Sequence, residues 1–250
     1  MNFLSNALGY IFTAAHWTGS SGLGVRIGEH LEYTALAVLA AVVIAVPLGL
    51  FIGHTGRGIF LVVSAVNALR ALPTLGMLLL GVLLWGLGLV PPTVALLLLG
   101  VPPLLAGTYS GIANVDRTVV EAARAMGMTE RQVLLGVEVP NALPLILSGL
   151  RTATLQVVAT ATVAAYASLG GLGRYLIDGI KVRQFHLALV GAIMVTALAL
   201  LLDAMLALAV WLSAPGTGRL RPVPDLPDRE GQAVYADSSV SAGAMPRSPG

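Results

Sequence analysis

Cysteine is absent from the 250-residue chain, which excludes a disulfide framework, a thiolate metal site and a cysteine nucleophile. Charge is scarce: 10% of residues are Asp, Glu, Lys or Arg, against roughly 25% in an ordinary soluble domain. Lysine occurs once, at Lys181 after Ile180, so the G-x-x-x-x-G-K-[ST] phosphate loop is missing and the chain has no such device for hydrolysing ATP. The arginines are scattered, which excludes a nucleic-acid patch. Aromatic residues make up 6% and form no dense cluster in the apolar spans that would cage a cation. His16, His30, His54 and His186 lack metal-ligand spacing and read as loop or interfacial residues. "GSSG" at 19–22 matches a G-x-S-G hydrolase string by chance, since it lies in a polar arm without a histidine partner on a membrane helix. Internal repeats and a coupling-ion site, which a secondary transporter or channel would need, are not found.

What the chain has in abundance is apolar length. Hydrophobic residues make up 56% and the mean hydropathy is +0.86, the composition of an all-α integral membrane protein. A bilayer core needs about 20 mostly apolar residues per helix. Five spans are expected, near 33–53, 58–87, 92–111, 145–166 and 187–212, with Pro91 and Pro92 breaking the second from the third. Residues 1–29 read as an extracytoplasmic arm, in the form of a short surface helix or a disordered segment. Residues 30–212 form the transmembrane domain, and the Ser-, Ala-, Gly- and Pro-rich residues 213–250 a disordered tail. Arg57, Arg117, Arg124, Arg131, Arg219 and Arg221 share one side, against Arg26, Arg174, Lys181 and Arg183 on the other. Positive-inside bias then puts the loop at about 116–140 and the C-terminus in the cytoplasm. Trp85 and Trp211 fall at span ends, where amphipathic rings prefer the headgroup region.

The longest charged interruption, "EAARAMGMTERQVLLGVEVPNALP" from Glu121 to Pro144, has its own local grammar. "DRTVVEAARAMG" reads as a short helix closed at Gly127, the residue suited to a left-handed C-terminus. Thr129 and Gln132 make a Thr-x-x-Gln capping box for a second helix, expected to stop before Pro140. Two short helices around a glycine corner form a docking element.

Glu121, Ala122, Ala123, Gly127 and the "VEVP" ending at Pro140 resemble the EAA motif of ABC importer membrane subunits, with Val137 and Val139 replacing the usual Ile and Leu. "EHLEYTALAVLAAVVIAVPLGLFIGH", "NALRALPTLGMLLLGVLLWGLG", "GTYSGIANVD", "SGLRTATLQVVATATVAAYASLGGLGRYLIDGI" and the fifth span are similar to the osmoprotectant branch, the permeases for glycine betaine, carnitine and choline. The likeness covers about residues 29 to 212. It implies a five-transmembrane-helix type I ABC importer (MetI-like) permease bundle in the bacterial inner membrane, with a cytoplasmic coupling helix. That helix would dock on an ABC ATPase subunit, which would hold ATP and Mg while this chain, itself no enzyme, binds no cofactor. An extracytoplasmic substrate-binding protein and a second copy of the chain, or a homologous permease, would complete the assembly. The alternative substrate is another small solute such as an amino acid. At the docking contact, Ala122 and Ala123 would permit close approach, Glu121 would accept hydrogen bonds, and Arg124 and Arg131 would either pair across it or take a solvated, membrane-flanking role.

Three further expectations concern the spans. Gln156 and Thr160, on an Ala- and Thr-rich fourth span, line the translocation path. Gly170, Gly171 and Gly173, in "SLGGLGRYLIDGI", allow irregular backbone, and the resemblance implies that this segment lies near the outer gate. Arg70 and Asp203 stand out as charges inside apolar spans at similar depth, and are expected to pair and staple span two to span five.

Overall fold

The computed structural model describes residues 3–167 and 169–214, with the side chains of 61, 62, 65 and 70 outside the description. All regular structure among the described residues is helical: α1 Phe3–Phe12, α2 Leu23–Thr55, α3 Ile59–Ala71, α4 Thr74–Trp85, α5 Val90–Ala113, α6 Arg117–Ala125, α7 Glu130–Val133, α8 Val139–Ala161, α9 Gly173–Lys181 and α10 Phe185–Ser213. Among the described residues, four stretches are long and apolar enough to cross a bilayer, namely Leu23–Thr55, Val90–Ala113, Glu130–Ala167 and Phe185–Ser213.

The expected second span is not one helix. It divides into α3 and α4, because Leu72 takes an extended conformation (ψ 130°) and Pro73 caps the next helix. Proline disfavours the helical conformation of its predecessor and has no N–H to donate. Each half is about 20 Å long, too short to cross the hydrocarbon alone. Helix α2 also starts ten residues before the expected span, at Leu23, so the anticipated boundary at 29/30 falls inside a helix. Of the expected tail, 213–250, Ser213 still belongs to α10, and residues 215–250 lie outside the described residues.

Small residues set how the bundle closes. Along α2, Ala37, Ala41, Ala45, Gly49 and Gly53 recur every fourth residue, the period of one helix face. A Cβ at Gly49 would lie 2.6 Å from Cβ of Thr108, and one at Gly53 would lie 2.6 Å from Cβ of Ile112. The paired numbers rise together, so α2 and α5 run in the same direction and touch nearly backbone to side chain. Against α8 the order reverses: Gly100 meets Val157, Gly107 meets Gly149 and Gly111 meets Ala142. Between these crossings lies the central core of Ala41, Ala45, Val101, Leu104, Leu105 and Ala153. Lipid tails are as apolar as these side chains, so close packing, rather than removal of apolar surface from water, holds the helices together.

Helix α10 joins this core through an ion pair. Arg151 of α8 donates to Asp203 of α10 through Nε (2.5 Å to Oδ1) and Nη2 (2.7 Å to Oδ2). Among the described residues this pair staples α8 to α10; the expected Arg70–Asp203 staple involves the Arg70 side chain, which lies outside the described residues. Sequence reasoning passes over Arg151 although it lies inside the expected fourth span. Two-pronged guanidinium–carboxylate contact satisfies both oxygens in a setting where unpaired charge is costly. Arg151→Asp and Asp203→Arg are each expected to reduce the yield of monodisperse protein severalfold in fluorescence-detected size-exclusion chromatography, and the double swap to restore much of it.

The N-terminal arm is an ordered cover on the α9–α10 corner. Ala7 and Leu23 are fully buried with Val190 of α10, and Phe3 meets Phe185 edge to face at 6.1 Å. The Tyr175 hydroxyl of α9 donates to the Ser21 carbonyl at 2.9 Å. Burial, with Tyr10 beside it, pushes the Tyr175 phenol up to about 12, so it remains a donor throughout the physiological pH range.

Candidate functional site

The charged interruption folds as two helices around a corner, for local reasons. Asp116 starts α6 by accepting from the Thr118 N–H at 2.8 Å, satisfying one free donor of the first turn. Helix α6 buries Val120 and Ala123 against Val133 and leaves Glu121, Ala122 and Arg124 exposed. It ends at Gly127, whose φ of +85° is open to glycine and strained for other residues. The Thr129–Gln132 box then forms, with the Thr129 N–H donating to Gln132 Oε1 at 2.8 Å and Thr129 Oγ1 accepting from the Gln132 N–H at 3.4 Å. Of the two motif alanines, Ala122 faces outward, while Ala123 packs inward and fixes α6 against the second helix.

Two expectations change here. The second helix does not stop before Pro140: α7 passes through a π-turn at Leu134–Glu138 directly into α8. Proline lacks the N–H of an ordinary turn and its ring crowds the carbonyl four residues back. The wider π-turn just ahead accommodates that defect without ending the helix. The docking corner is consequently the end of a continuous 38-residue apolar helix, Glu130–Ala167. Second, Arg124 pairs within the chain, donating through Nε (3.0 Å) and Nη2 (2.9 Å) to the Glu130 carboxylate and bracing one side of the corner against the other.

Glu130 and Glu138 also reach α2. His54, in its last turn, has Nδ1 2.6 Å from Glu138 Oε2 and Nε2 3.3 Å from Glu130 Oε2. Beside this contact opens a cleft of about 310 Å³ lined by His54, Tyr109, Arg117, Glu121, Arg124 and Glu138. Sequence reasoning set His54 aside as a loop residue. Its placement three residues before Arg57, at the end of a small-residue stripe, is the only local hint.

A second polar junction lies at the other end of α2. Between His30 and His54 there are about 36 Å of helix, enough to traverse the hydrocarbon core. The carboxylate of Glu29 accepts from Arg26 Nη1 at 2.8 Å and from the Gly171 N–H at 2.6 Å. Gly171 has φ +81°, a Cβ at Gly170 would run into the Glu29 carboxylate, and a Cβ at Gly173 into the Thr162 carbonyl. Gly170 and Gly171, expected to permit irregular backbone, let the chain after α8 lie directly on α2, while Gly173 lets it fold back on the turn at Thr162. His30 is fully buried, with Nε2 3.0 Å from the Val158 carbonyl. Neither Glu29 nor His30 is singled out by sequence reasoning, since each has its partner more than 120 residues away.

Gln156 is half-buried and makes no hydrogen bond among the described residues. Thr160 lines a narrow apolar groove with Thr74, Leu78, Pro92 and Val163, where the broken second segment meets α5 and the 3-10 turn Thr162–Ala167. The two positions share α8, one turn apart.

Comparison with known proteins agrees with this architecture. Residues 41–210 match the family model described as "Binding-protein-dependent transport system inner membrane component". The chain is 37% identical over 190 residues to the glycine betaine/carnitine/choline transport system permease protein OpuCB of Bacillus subtilis (strain 168), covering 76% of this chain and 88% of that one. It is 34% identical over 181 residues to the osmoprotectant import permease protein OsmY of Salmonella typhimurium, covering 72% and 77% respectively. In fold it resembles a chain of the MetNI methionine ABC transporter in inward-facing conformations, with a TM-score of 0.65, 21% identity, and coverage of 74% of this chain and 93% of that chain. A further fold match, to an amino acid ABC transporter with histidines, has a TM-score of 0.57 at 22% identity, covering 76% and 91%. By sequence match over most of its helical bundle, the chain is a multi-pass permease of the binding-protein-dependent transport system inner membrane component family.

Proposed function

We propose that this permease imports quaternary ammonium osmoprotectants such as glycine betaine, carnitine or choline, driven by an ABC ATPase that docks on the Gly127 corner. The observation that carries the reading is continuity: the corner's second helix and α8 are one helix, so a displacement applied at the corner tilts a transmembrane element directly. Glu121, Ala122, Gly127 and Pro140 are exposed at that corner or beside it. ATP and Mg are held by the ATPase, which draws two corners together as it closes. Helix α8 transmits the movement to Gly170, Gly171 and Gly173, and through them to the outer end of α2. The path runs past Gln156 and Thr160, with access alternating between the two faces. A second permease, the same chain or a homologue, forms the other half of the path, and an extracytoplasmic binding protein selects the solute. In this orientation the C-terminus is cytoplasmic. The relatives named for glycine betaine, carnitine, choline and osmoprotectants support the substrate class.

The test is reconstitution of the full chain with its ATPase and binding protein in liposomes. ATP-dependent uptake and ATP hydrolysis are expected to rise with glycine betaine, choline or carnitine across a solute panel. Stimulation by an amino acid alone would move the substrate class and leave the importer standing. Uptake without ATP would overturn the importer reading.

A further inference from the structure

Among the described residues, His54 is the one side chain that joins α2 to both ends of the segment running from Glu130 to Glu138. Its two ring nitrogens face two different carboxylates, Glu138 at 2.6 Å and Glu130 at 3.3 Å. A neutral imidazole can donate its single N–H to Glu138 and offers Glu130 no charge, whereas the imidazolium keeps that hydrogen bond and adds a charge attraction to Glu130 at ion-pair distance. From this geometry we infer that His54 is a proton-set latch between α2 and the docking corner, holding Glu130 and Glu138 together when doubly protonated and releasing one when neutral. The inference deepens the proposed function, because it assigns the residue that positions the corner for ATP-driven movement.

Which contact is released follows from the surroundings. Glu138 is buried, with 7% of its side chain exposed, and sits at the shorter distance; leaving it without a donor is costly. Glu130 is 60% exposed and retains Arg124 as a partner. Loss of one proton therefore leaves His54 on Glu138 and frees the Glu130 end, where α7 leaves the Gly127 corner. The ring contacts Glu130 and Glu138 of the continuous helix; the other titratable or charged groups lining the cleft beside it are Tyr109 from α5 and Arg117, Glu121 and Arg124 from α6, with Arg57 following in the loop after α2. The two carboxylates are the groups within ion-pair distance. Helix α2 also ends here, and the carbonyl end of its dipole favours positive charge. Histidine is the side chain whose charge ordinarily changes near neutral pH, so pH is the variable that tests the latch.

The decisive quantity is solute taken up per ATP hydrolysed by the reconstituted transporter. In wild type it is expected to fall about fivefold between about pH 6 and about pH 8. His54→Gln, which keeps one donor for Glu138 and cannot become a cation, is expected to hold the low value at both pH values while eluting as a monodisperse protein. A pH-independent ratio in wild type, or an unchanged pH response in His54→Gln, would overturn the latch. An independent measurement needs no ATPase: Arg57→Cys and Leu135→Cys, in a chain without native cysteine, carry spin labels in nanodiscs. The interspin distance should lengthen as pH rises in the His54 protein and stay long in His54→Gln. Absence of ATP-dependent uptake would sink the importer reading alone, whereas a distance insensitive to pH would sink the latch alone.

Discussion

Replacing Gly107 by valine is expected to lower the melting temperature of the detergent-solubilised protein by about 10 °C, a loss on the order of 3 kcal/mol. The cause is the crossing of α5 and α8. A Cβ at Gly107 would lie 2.7 Å from Gly149 Cα and 3.0 Å from the Leu145 carbonyl oxygen, so it meets backbone and not a flexible side chain. Neither helix can give locally, because α5 is held on its other face by the α2 stripe, where Gly49 and Gly53 touch Thr108 and Ile112. Relief requires the helices to separate, which opens the contacts of Leu104, Leu105 and Ala153. Gly149→Val should behave alike, since a Cβ there would come within 3.0 Å of Gly107 Cα. Gly28→Val is the control: Gly28 lies in α2 with nothing within 4 Å of its Cβ position, and valine tolerates a helix better than glycine does. A melting temperature for Gly107→Val within a few degrees of the control would show that the crossing has more slack than its geometry implies.

The second large effect is on transport rather than on folding. Gly127→Val is expected to insert and purify normally while reducing ATP-driven uptake by about tenfold, with basal ATP hydrolysis retained. Nothing lies within 4 Å of a Cβ at Gly127, so there is no clash; the cost is the left-handed backbone itself, about 1 to 3 kcal/mol for a non-glycine residue. That cost is met by turning the corner, which moves α6 and its exposed Glu121 relative to the continuous helix. A graded series separates this cause from simple bulk. Gly127→Asn should retain more uptake than Gly127→Ala, and Gly127→Ala more than Gly127→Val, following tolerance of the left-handed region rather than size. Glu121→Ala is expected to reduce uptake without altering the melting temperature, because Glu121 is exposed and makes no hydrogen bond within the chain among the described residues. Equal uptake across the Gly127 series would remove the corner from the coupling route.

The parts of this architecture legible in the linear sequence are those whose partners lie within one helical turn. Asp116 caps Thr118 two residues on, Thr129 and Gln132 satisfy each other at a separation of three, and Gly127 supplies its own conformation. The apolar spans are equally local, since hydropathy over about 20 residues decides bilayer compatibility without reference to the rest of the chain. Where a local rule failed, another local option had the same composition. Pro140 reads as a stop, but a π-turn ahead of it carries the helix through, and that choice depends on Glu138 and Val139 being held against α2 and α5. Pro73, by contrast, does interrupt a span that hydropathy presents as continuous.

Residue partnerships across the bundle belong to the tertiary structure alone. Arg151 finds Asp203 at a separation of 52, His54 finds Glu138 at 84, His30 finds Val158 at 128 and Glu29 finds Gly171 at 142. Hydropathy states that a charge inside a span needs a partner; it carries no information on helix rotation or axial register, which select the partner. Those are set where Ala41, Gly49 and Gly53 of α2 and Gly107 and Gly149 at the α5–α8 crossing allow backbones to close to contact distance. By itself, then, the sequence determined four of the five apolar spans and the caps and glycine turn of the docking corner, because bonds within a turn and average hydropathy suffice for these. The close packing of small residues decided which polar groups meet, and with that the two junctions at the ends of α2.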